Sequence, residues 1–271
     1  MNDYNILIGG SAGQGMDTIS SNIEKILHKL GYYLLSTKNY ESRVRGGHNY
    51  IQIRFSSNPI YSHSNKFDFI IALNDEIIKH HKHKLKTNGI ILCDNSIASA
   101  DNNIFSAHIH STAKSLGNIL ISNTVFLGIF VKIFNLNLDI ALNVLSTSFK
   151  GEKLEINKKA LEAGYNIGEN RIILPYVDKK ERMIINGNKS IALGSISAGC
   201  TFFSSYPMTP STSIMTYLST KQNQTGMVVE QAEDEIGAIN MAVGASVCGV
   251  RSITATSGGG LSLMTETLSF L

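Results

Sequence analysis

The sequence predicts an α/β fold arranged in two domains, and three observations support this prediction. Short apolar runs typical of strands alternate with segments in which apolar residues recur at helical spacing, as in α/β proteins with parallel sheets. This alternation stops in a polar stretch after residue 167 and starts again near residue 188. Glycine-rich loops follow strand candidates in both halves. We therefore predict a first domain over 1–167, a linker over 168–187 and a second domain over 188–271.

The first region begins with a strand, a glycine loop and a helix. Asn5–Gly9 is apolar, the loop Gly9–Gly15 follows it, and apolar residues at helical spacing begin at Met16. The remaining strand candidates are Tyr32–Leu35, Tyr50–Phe55, Phe67–Ala72 and Gly89–Cys93, and the later helical segments are Asn118–Phe134, Asp139–Ser146 and Asn157–Tyr165. Strands that alternate with helices in this way predict a mostly parallel sheet.

The second region repeats this alternation. Its strand candidates are Thr201–Ser204, Met227–Glu230 and Ser252–Thr256, and its helical segments are Ser190–Ala198, a segment after Pro210, and Glu233–Val247. The region 188–271 is shorter than a typical domain of about 100 to 150 residues. It also ends within an apolar helical pattern. We therefore expect this second domain to be incomplete.

Charge and cysteine content restrict the possible partners and location. The formal net charge is only +3, and the basic residues are scattered, so we expect no nucleic-acid partner. The start of the chain does not resemble a secretory signal, and no apolar run reaches the about 18 residues of a membrane helix, so we expect no membrane. Cys93, Cys200 and Cys248 stand far apart and cannot by themselves hold a four-cysteine iron–sulfur cluster. These features predict a cytoplasmic protein.

The first glycine loop, with Gly13 and Gly15, stands where a strand leads into a helix. Backbone N–H groups at such a helix start bind phosphate or carboxylate groups. Glycines that serve only a tight turn are an equal alternative. A nicotinamide dinucleotide is disfavoured, because Asp17-Thr18 replaces the third glycine of G-x-G-x-x-G and Ser36-Thr37 offers no carboxylate for a ribose.

Two further segments of the first region are rich in basic residues or histidine. The segment Glu41–Tyr50 contains Arg45, a second arginine and two glycines, which suit a partner or an anionic ligand such as a coenzyme A phosphate, unless it is an exposed turn. The segment His80–His83 contains three histidines, but lysines crowd it and no cysteine or carboxylate stands at useful spacing. We predict a solvated basic helix face there instead of a metal site.

The second region carries three short motifs, each after a strand. The first motif is Tyr206–Thr212, in which Thr209 is a candidate helix cap and Pro210 a candidate first helical residue. The second, Glu230–Glu235, places carboxylates at the start of a helix rich in glycine and alanine. The third is the glycine loop Thr254–Gly260. Because the carboxyl ends of neighbouring parallel strands meet at one edge, the three loops are expected to converge on one crevice.

Taken together, these motifs resemble the alpha subunit of 2-oxoacid:ferredoxin oxidoreductases. The similar features in that family are a Tyr-Pro-x-Thr-Pro-Ser turn, Glu-Asp-Glu before a helix rich in small residues, and Thr-Ser-Gly with a further glycine. The glycine-rich opening, the Arg-Gly-Gly segment and Asn157–Tyr165 resemble the family's gamma domain. A gamma domain fused before the alpha domain is most similar to the 2-oxoglutarate-type enzymes. Full-length relatives continue well past this domain, so the resemblance implies a chain truncated at its carboxyl end.

The resemblance also implies roles for particular residues. Glu235 would be the catalytic carboxylate that contacts N1′ of the aminopyrimidine of thiamine diphosphate, and Thr209 would lie near the substrate carboxylate and the coenzyme. We choose Glu235 over Glu233 because its spacing to the following glycine and alanine matches the family's helix. The expected cofactor-binding residues are Tyr206, Pro207, Ser257, Gly258, Gly13, Gly15 and Arg45.

The resemblance implies partners as well, because this sequence contains no Gly-Asp-Gly. A beta subunit would supply the diphosphate-binding domain, magnesium and the iron–sulfur cluster. Coenzyme A would accept the acyl group of the 2-oxoacid, and ferredoxin would accept the electrons. The expected substrate is 2-oxoglutarate, followed by pyruvate or a branched-chain 2-oxoacid. The alternative is a non-catalytic assembly subunit, and one departure from the family is Gly259, where proline is common.

Overall fold

The structure of the chain is a computed structural model, which describes residues 3–40, 47–97, 101–178 and 181–270. The described residues form two compact α/β units, Met1–Arg182 and Met183–Leu271. The α/β class predicted from the sequence is confirmed. Among the described residues, every helix is too short or too polar to cross a membrane.

The first unit is built on a six-stranded sheet in the order β2-β3-β1-β4-β5-β6. Its strands are β1 (Asp3–Gly10), β2 (Tyr33–Asn39), β3 (Asn49–Ser56), β4 (Phe67–Ala72), β5 (Leu85–Asp94) and β6 (Ile104–Ala107). Its helices are α1 (Met16–Lys29), α2 (Asp75–His81), α3 (Ile109–Ser115), α4 (Ser122–Ile133), α5 (Leu138–Ser148) and α6 (Gly151–Ile167).

The sheet of the first unit is mixed. β1, β4, β5 and β6 run parallel to one another, whereas β3 is antiparallel to both β1 and β2. The chain between β2 and β3 is too short for the crossover of about a dozen or more residues that parallel strands need, so these two strands pair as neighbours in opposite directions. Five of the six strands therefore run in the same direction, as expected of a mostly parallel sheet, and β3 alone among the described strands of this sheet runs in the opposite direction.

Helices cover the sheet of the first unit and place its main core on one face. Buried residues of α1, α4, α5 and α6 pack there against alternate residues of the central strands. The crossing of α4 and α6 is close, because a Cβ on Gly128 would come 2.2 Å from the carbonyl oxygen of Leu161 and a Cβ on Gly164 would come 2.2 Å from that of Val125. The glycines of both helices therefore fix their separation.

Part of the segment proposed as a linker packs on the first unit. Ile172, Leu174 and Val177 contact the main core, and the hydroxyl group of Tyr32 donates a hydrogen bond to the carbonyl oxygen of Pro175. The guanidinium of Arg182 lies 3.7 Å from the centre of the Tyr33 ring. These contacts explain why the compact unit extends to Arg182, beyond residue 167. The division at 167 and 188 remains a proposal for the domain boundaries.

The second unit is built on a three-stranded parallel sheet in the order β8-β7-β9. Its strands are β7 (Phe202–Ser205), β8 (Val228–Gln231) and β9 (Ser252–Thr254). Its helices are α7 (Gly187–Ser197), α8 (Thr212–Ser219), α9 (Gln222–Thr225), α10 (Glu235–Val247) and α11 (Gly258–Phe270). The buried residues Phe203, Leu218 and Met227 form the centre of its core, and Cys248, which caps the end of α10, is exposed.

Candidate functional site

The three motifs of the second unit meet at the carboxyl ends of its parallel strands. Because β7 is the central strand, its loop lies between the loops that follow β8 and β9. Two hydrogen bonds join these segments directly: the Ser205 hydroxyl group donates to the Ala255 carbonyl oxygen at 2.7 Å, and the Ala232 N–H donates to the Ser205 carbonyl oxygen at 3.0 Å. The sequence-based expectation that the three loops converge is therefore confirmed.

The loop after β7 contains Tyr206, Pro207 and Thr209. The Ser257 hydroxyl group, from the loop after β9, donates a hydrogen bond to the Thr209 carbonyl oxygen at 2.9 Å, so the two loops are tied together. The side chain of Thr209 is exposed, and its peptide bond to Pro210 is cis.

The prediction that Thr209 caps a helix beginning at Pro210 was wrong. Helix α8 begins at Thr212 with Ser211 as its cap residue. The hydroxyl group of Ser211 donates to the Met208 carbonyl oxygen at 2.7 Å and thereby closes a turn over the two residues that were expected to start the helix. Thr209 is consequently left outside the helix, on the exposed side of this loop.

Helix α10 places Glu235 at the site. Asp234 is the cap residue, and its carboxylate accepts a hydrogen bond from the Gly237 N–H at 2.6 Å, which satisfies a donor of the first turn. The hydroxyl group of Ser204, on β7, donates to the Ala238 carbonyl oxygen at 2.6 Å and ties α10 to the central strand. These contacts fix the helix start, and Glu235 is only 4% exposed there.

The burial of Glu235 sets it apart from its neighbouring acids. Glu230, Glu233 and Asp234 are exposed, as acids at a helix start commonly are. Within the described ranges, the Glu235 carboxylate has neither an ion pair nor a side-chain hydrogen bond. A buried carboxylate normally has a hydrogen-bonding partner. Glu235 therefore has the capacity to bind a donor from a ligand, which fits the carboxylate that an aminopyrimidine requires.

A cavity of about 350 Å³ opens beside the loop after β9. Its wall includes Thr256, Ser257 and Gly258 from this loop, Ile239 from α10, and Leu261 and two further apolar residues from α11. The Thr254 hydroxyl oxygen in the same wall is buried and has no hydrogen-bonding partner. The wall is thus apolar with a few polar groups, as in sites for aromatic ligands.

The first glycine loop, which contains Gly13 and Gly15, belongs to the first unit. Gly13 and Gly15 both have left-handed φ angles, 88° and 86°. The side-chain oxygen of Gln14 accepts hydrogen bonds from the Ser11 N–H at 2.6 Å and from the Asn74 amide at 3.2 Å, which closes the loop. No side chain caps α1 at Gly15. These observations fit both the anion-binding and the tight-turn interpretation.

Two other sequence features of the first unit have different outcomes. Arg45 lies outside the described residues. His81 is buried, with its Nε2 atom 2.8 Å from Nε2 of His48, so one residue of the histidine-rich segment packs inward instead of lying on a solvated face. Among the residues that the structure describes, no group of three or more metal-ligating side chains occurs.

The sequence interpretation missed two close contacts, one within each unit. Gly260 was counted only as part of a glycine loop, although it is buried against Glu235 and Thr256. Asn123 was not singled out, although a Cβ on Gly15 would lie 1.8 Å from its Nδ2 atom. The Gly260–Glu235 and Gly15–Asn123 contacts leave no local pattern, because the partners are 25 and 108 residues apart in the sequence.

Comparisons with known proteins identify relatives for both units. Residues 5–167 match the family described as pyruvate ferredoxin/flavodoxin oxidoreductase. Residues 193–271 match the thiamine diphosphate-binding region described for pyruvate flavodoxin/ferredoxin oxidoreductase. The 2-oxoacid:ferredoxin oxidoreductase subunit alpha of a Sulfolobus species is 27% identical over 97% of this chain and 51% of its own length.

Two further comparisons concern 2-oxoglutarate. The 2-oxoglutarate synthase subunit KorA of Methanothermobacter thermautotrophicus is 48% identical over 33% of this chain and 24% of its own length. The 2-oxoglutarate:ferredoxin oxidoreductase of Magnetococcus marinus, solved with 2-oxoglutarate, coenzyme A and succinyl-CoA bound, is 31% identical with a TM-score of 0.88, over 97% of this chain and 49% of that chain.

The chain therefore spans about half the length of the long relatives that it matches. The two family matches together cover both compact units. On these matches and the α/β fold described above, the chain belongs to the 2-oxoacid:ferredoxin oxidoreductase family, as an alpha-type subunit with a gamma-type domain before it.

Proposed function

We propose that this chain supplies the aminopyrimidine-binding half of a thiamine diphosphate site in a 2-oxoacid:ferredoxin oxidoreductase. The observation that carries this proposal is the buried carboxylate of Glu235, at the meeting point of three loops and without a side-chain partner among the described residues. The match of residues 193–271 to a thiamine diphosphate-binding region supports it.

In this proposal, Glu235 accepts a hydrogen bond from N1′ of the aminopyrimidine and exchanges the proton at that atom. The bound coenzyme would supply the nucleophilic carbon that attacks the 2-oxo group and the electron sink for decarboxylation. The helix start holds Glu235 in place, and only 4% of this residue is exposed. Tyr206, Pro207, Ser257 and Gly258 line the crevice, and Thr209 lies near the carboxylate of the substrate.

The remaining parts of the reaction are assigned to partners. We propose that a beta subunit carries the diphosphate-binding domain, magnesium and the iron–sulfur cluster, and that this chain is active only with it. The acyl group passes to coenzyme A and the electrons pass to ferredoxin. Gly13, Gly15 and Arg45 in the gamma-type domain are the residues we propose for cofactor binding there. A cytoplasmic location, expected from the cysteine content, is part of the same proposal.

The proposed substrate is 2-oxoglutarate. It is supported by the names of two relatives, the 2-oxoglutarate synthase subunit KorA of Methanothermobacter thermautotrophicus and the 2-oxoglutarate:ferredoxin oxidoreductase of Magnetococcus marinus. Pyruvate and branched-chain 2-oxoacids are the next candidates, because the first-domain family is described by its pyruvate enzymes.

The test is reduction of a viologen dye by this chain co-expressed with its candidate beta subunit. Dye reduction that requires both 2-oxoglutarate and coenzyme A, with a slower rate on pyruvate, is the expected result. Faster reduction with pyruvate would correct the substrate. A complex that assembles with its cluster and coenzyme but reduces no dye with any 2-oxoacid would contradict the catalytic role and favour a non-catalytic assembly subunit.

A further inference from the structure

Gly260 lies where the first turn of α11 meets the buried carboxylate of Glu235. A Cβ on Gly260 would come 2.9 Å from Oε1 and 2.8 Å from Cγ of Glu235, and 2.1 Å from the hydroxyl oxygen of Thr256. Cβ atoms in proteins essentially never lie within 3.0 Å of such atoms. Any side chain at position 260 must therefore displace Glu235, Thr256 or the start of α11.

The neighbouring glycines show that this crowding is specific to position 260. A Cβ on Gly258 or on Gly259 would meet no atom within 4 Å. Neither these two residues nor Gly260 has a left-handed φ angle, so the backbone conformation alone does not require glycine at any of them. The requirement at position 260 comes from the close approach to Glu235 and Thr256.

The side chain of Glu235 has to move together with that of Thr256, because both would lie within 3.0 Å of the added Cβ. The backbone of Glu235 is fixed, because Asp234 caps α10 and the Ser204 hydroxyl group holds the Ala238 carbonyl oxygen. A larger residue at position 260 would thus rotate the glutamate about its side-chain bonds and carry the carboxylate away from the first turn of α11. At that turn the carboxylate also benefits from the partial positive charge of the helix start.

We propose that Gly260 is a positioning residue for Glu235: its missing side chain lets the carboxylate rest against the start of α11 and so fixes the direction in which it meets N1′ of the aminopyrimidine. This inference rests on the proposed function of Glu235 and deepens it. A misplacement of about 1 Å in a catalytic group lowers a rate by about 100-fold. The glycine at position 260 is therefore expected to affect turnover more than the binding of the 2-oxoacid.

The experiment compares Gly260→Ala with Gly259→Ala in the complex with the beta subunit. Both changes add one methyl group to the same turn of α11, but only the first meets Glu235. Two quantities are measured, the kinetic constants for 2-oxoglutarate and the near-ultraviolet circular dichroism of bound thiamine diphosphate as a function of pH. The second follows the protonation of the aminopyrimidine, and the Gly259→Ala control shows how far a change in the same turn of α11 moves it without a contact with Glu235.

For Gly260→Ala, the expected result is a kcat about 10- to 100-fold lower with little change in KM, and a dichroism titration displaced toward that of Glu235→Gln. Gly259→Ala is expected to match the unaltered complex in both measurements. If Gly260→Ala matches Gly259→Ala in kcat and in titration, Gly260 serves helix packing alone and the inference is overturned.

Two further variants keep the test decisive. If Gly260→Ala does not assemble, the double variant Thr256→Ala/Gly260→Ala removes the contact at 2.1 Å and leaves the contact with Glu235, and it is compared with Thr256→Ala alone. Equal kcat and titration in these two would overturn the inference. If Glu235→Gln retains full turnover, the proposed function of Glu235 falls and the inference falls with it. If Glu235→Gln is inactive but Gly260→Ala has unchanged kcat and titration, the inference about Gly260 is overturned and the proposed role of Glu235 is kept.

Discussion

Each unit contains a strand, a loop and a helix with one crowded glycine: β1 leads to α1 in the first unit, and β9 leads to α11 in the second. The two glycines differ in the side chain that they contact. In the first unit, a Cβ on Gly15 would strike the amide of Asn123, and Gly15 also has a left-handed φ angle. In the second unit, Gly260 has no such φ angle and lies against the carboxylate of Glu235. A carboxylate can accept a proton from a ligand, whereas a side-chain amide cannot do so near neutral pH. The neighbour of each glycine therefore decides what a substitution there tests: the packing of α4 at Gly15 and the position of a carboxylate at Gly260.

The largest expected effect tests the chemical side of this comparison. Glu235→Gln keeps the shape of the side chain but replaces the carboxylate with an amide that cannot accept a proton, so we expect kcat to fall by about 10²- to 10⁴-fold. Association with the beta subunit should be intact, which co-purification can verify. Glu233→Gln is the matched control, because Glu233 is exposed. Full turnover in the Glu235 variant would show that the carboxylate has no catalytic role.

The next effect tests the packing side. Gly15→Ala combines a left-handed φ angle with a Cβ placed 1.8 Å from Nδ2 of Asn123, so we expect the free energy of unfolding to fall by about 2–3 kcal/mol. Gly13→Ala has the same kind of φ angle but no neighbour within 4 Å, and should cost about 1 kcal/mol. Urea denaturation measures both. Equal losses would mean that the contact with Asn123 contributes nothing.

A pH-dependent effect is expected from the first unit. Burial, with a contribution from nearby His48, holds the pKa of His81 down to about 4, from an ordinary value of 6.5. Between these two pH values the unfolded chain binds a proton that the folded chain does not, so the free energy of unfolding falls as the pH is lowered through this range. In His81→Gln, we expect the decrease in the free energy of unfolding between pH 7 and pH 5 to be smaller by on the order of 1–2 kcal/mol. Urea midpoints at the two pH values measure this decrease. An unchanged difference between the two midpoints would contradict the assignment.

The smallest effect concerns the tie between two loops of the second unit. Ser257→Ala removes the hydrogen bond to the Thr209 carbonyl oxygen, a contact that contributes about 1 kcal/mol. We expect a dissociation constant for thiamine diphosphate that is higher by about 5-fold. Ser269→Ala, which removes a hydroxyl group whose hydrogen bond stays within α11, is the control and should leave the constant unchanged. If Ser269→Ala raised the dissociation constant more than Ser257→Ala does, the hydrogen bond between Ser257 and Thr209 would not be specifically important for binding.

Much of the fold could be predicted from the sequence, because strands and helices with one buried face leave a periodic pattern. The strand Phe67–Ala72 has the predicted bounds, and α10 begins two residues later than predicted because Asp234 is its cap. The strand Ile104–Ala107 was not predicted, since its short sequence carries too few alternating residues to signal a strand.

The sequence indicated several candidate residues of the site, but it did not indicate which of them contact one another. Family resemblance indicated Glu235, Thr209 and Ser257, and the order of the parallel strands explains why their loops meet. The closeness of Gly260 to Glu235 depends on how α11 packs on α10, which no local pattern expresses. The direction of β3 was missed for a similar reason, because a strand pattern does not encode which neighbour the strand pairs with.

Helix α10 has a buried carboxylate at its start and an exposed thiol at its end. The buried Glu235 begins the helix, and the exposed Cys248 caps its other end, about 20 Å away along the axis. Cys93 will not compete for thiol reagents, because burial raises its pKa to about 11 and keeps it protonated. Cys200 is partly exposed, so it is first replaced by serine. A fluorophore attached to Cys248 of the Cys200→Ser chain would then lie on the same helix as the proposed catalytic carboxylate. It offers an optical signal for the arrival of a partner, read from outside the reaction centre.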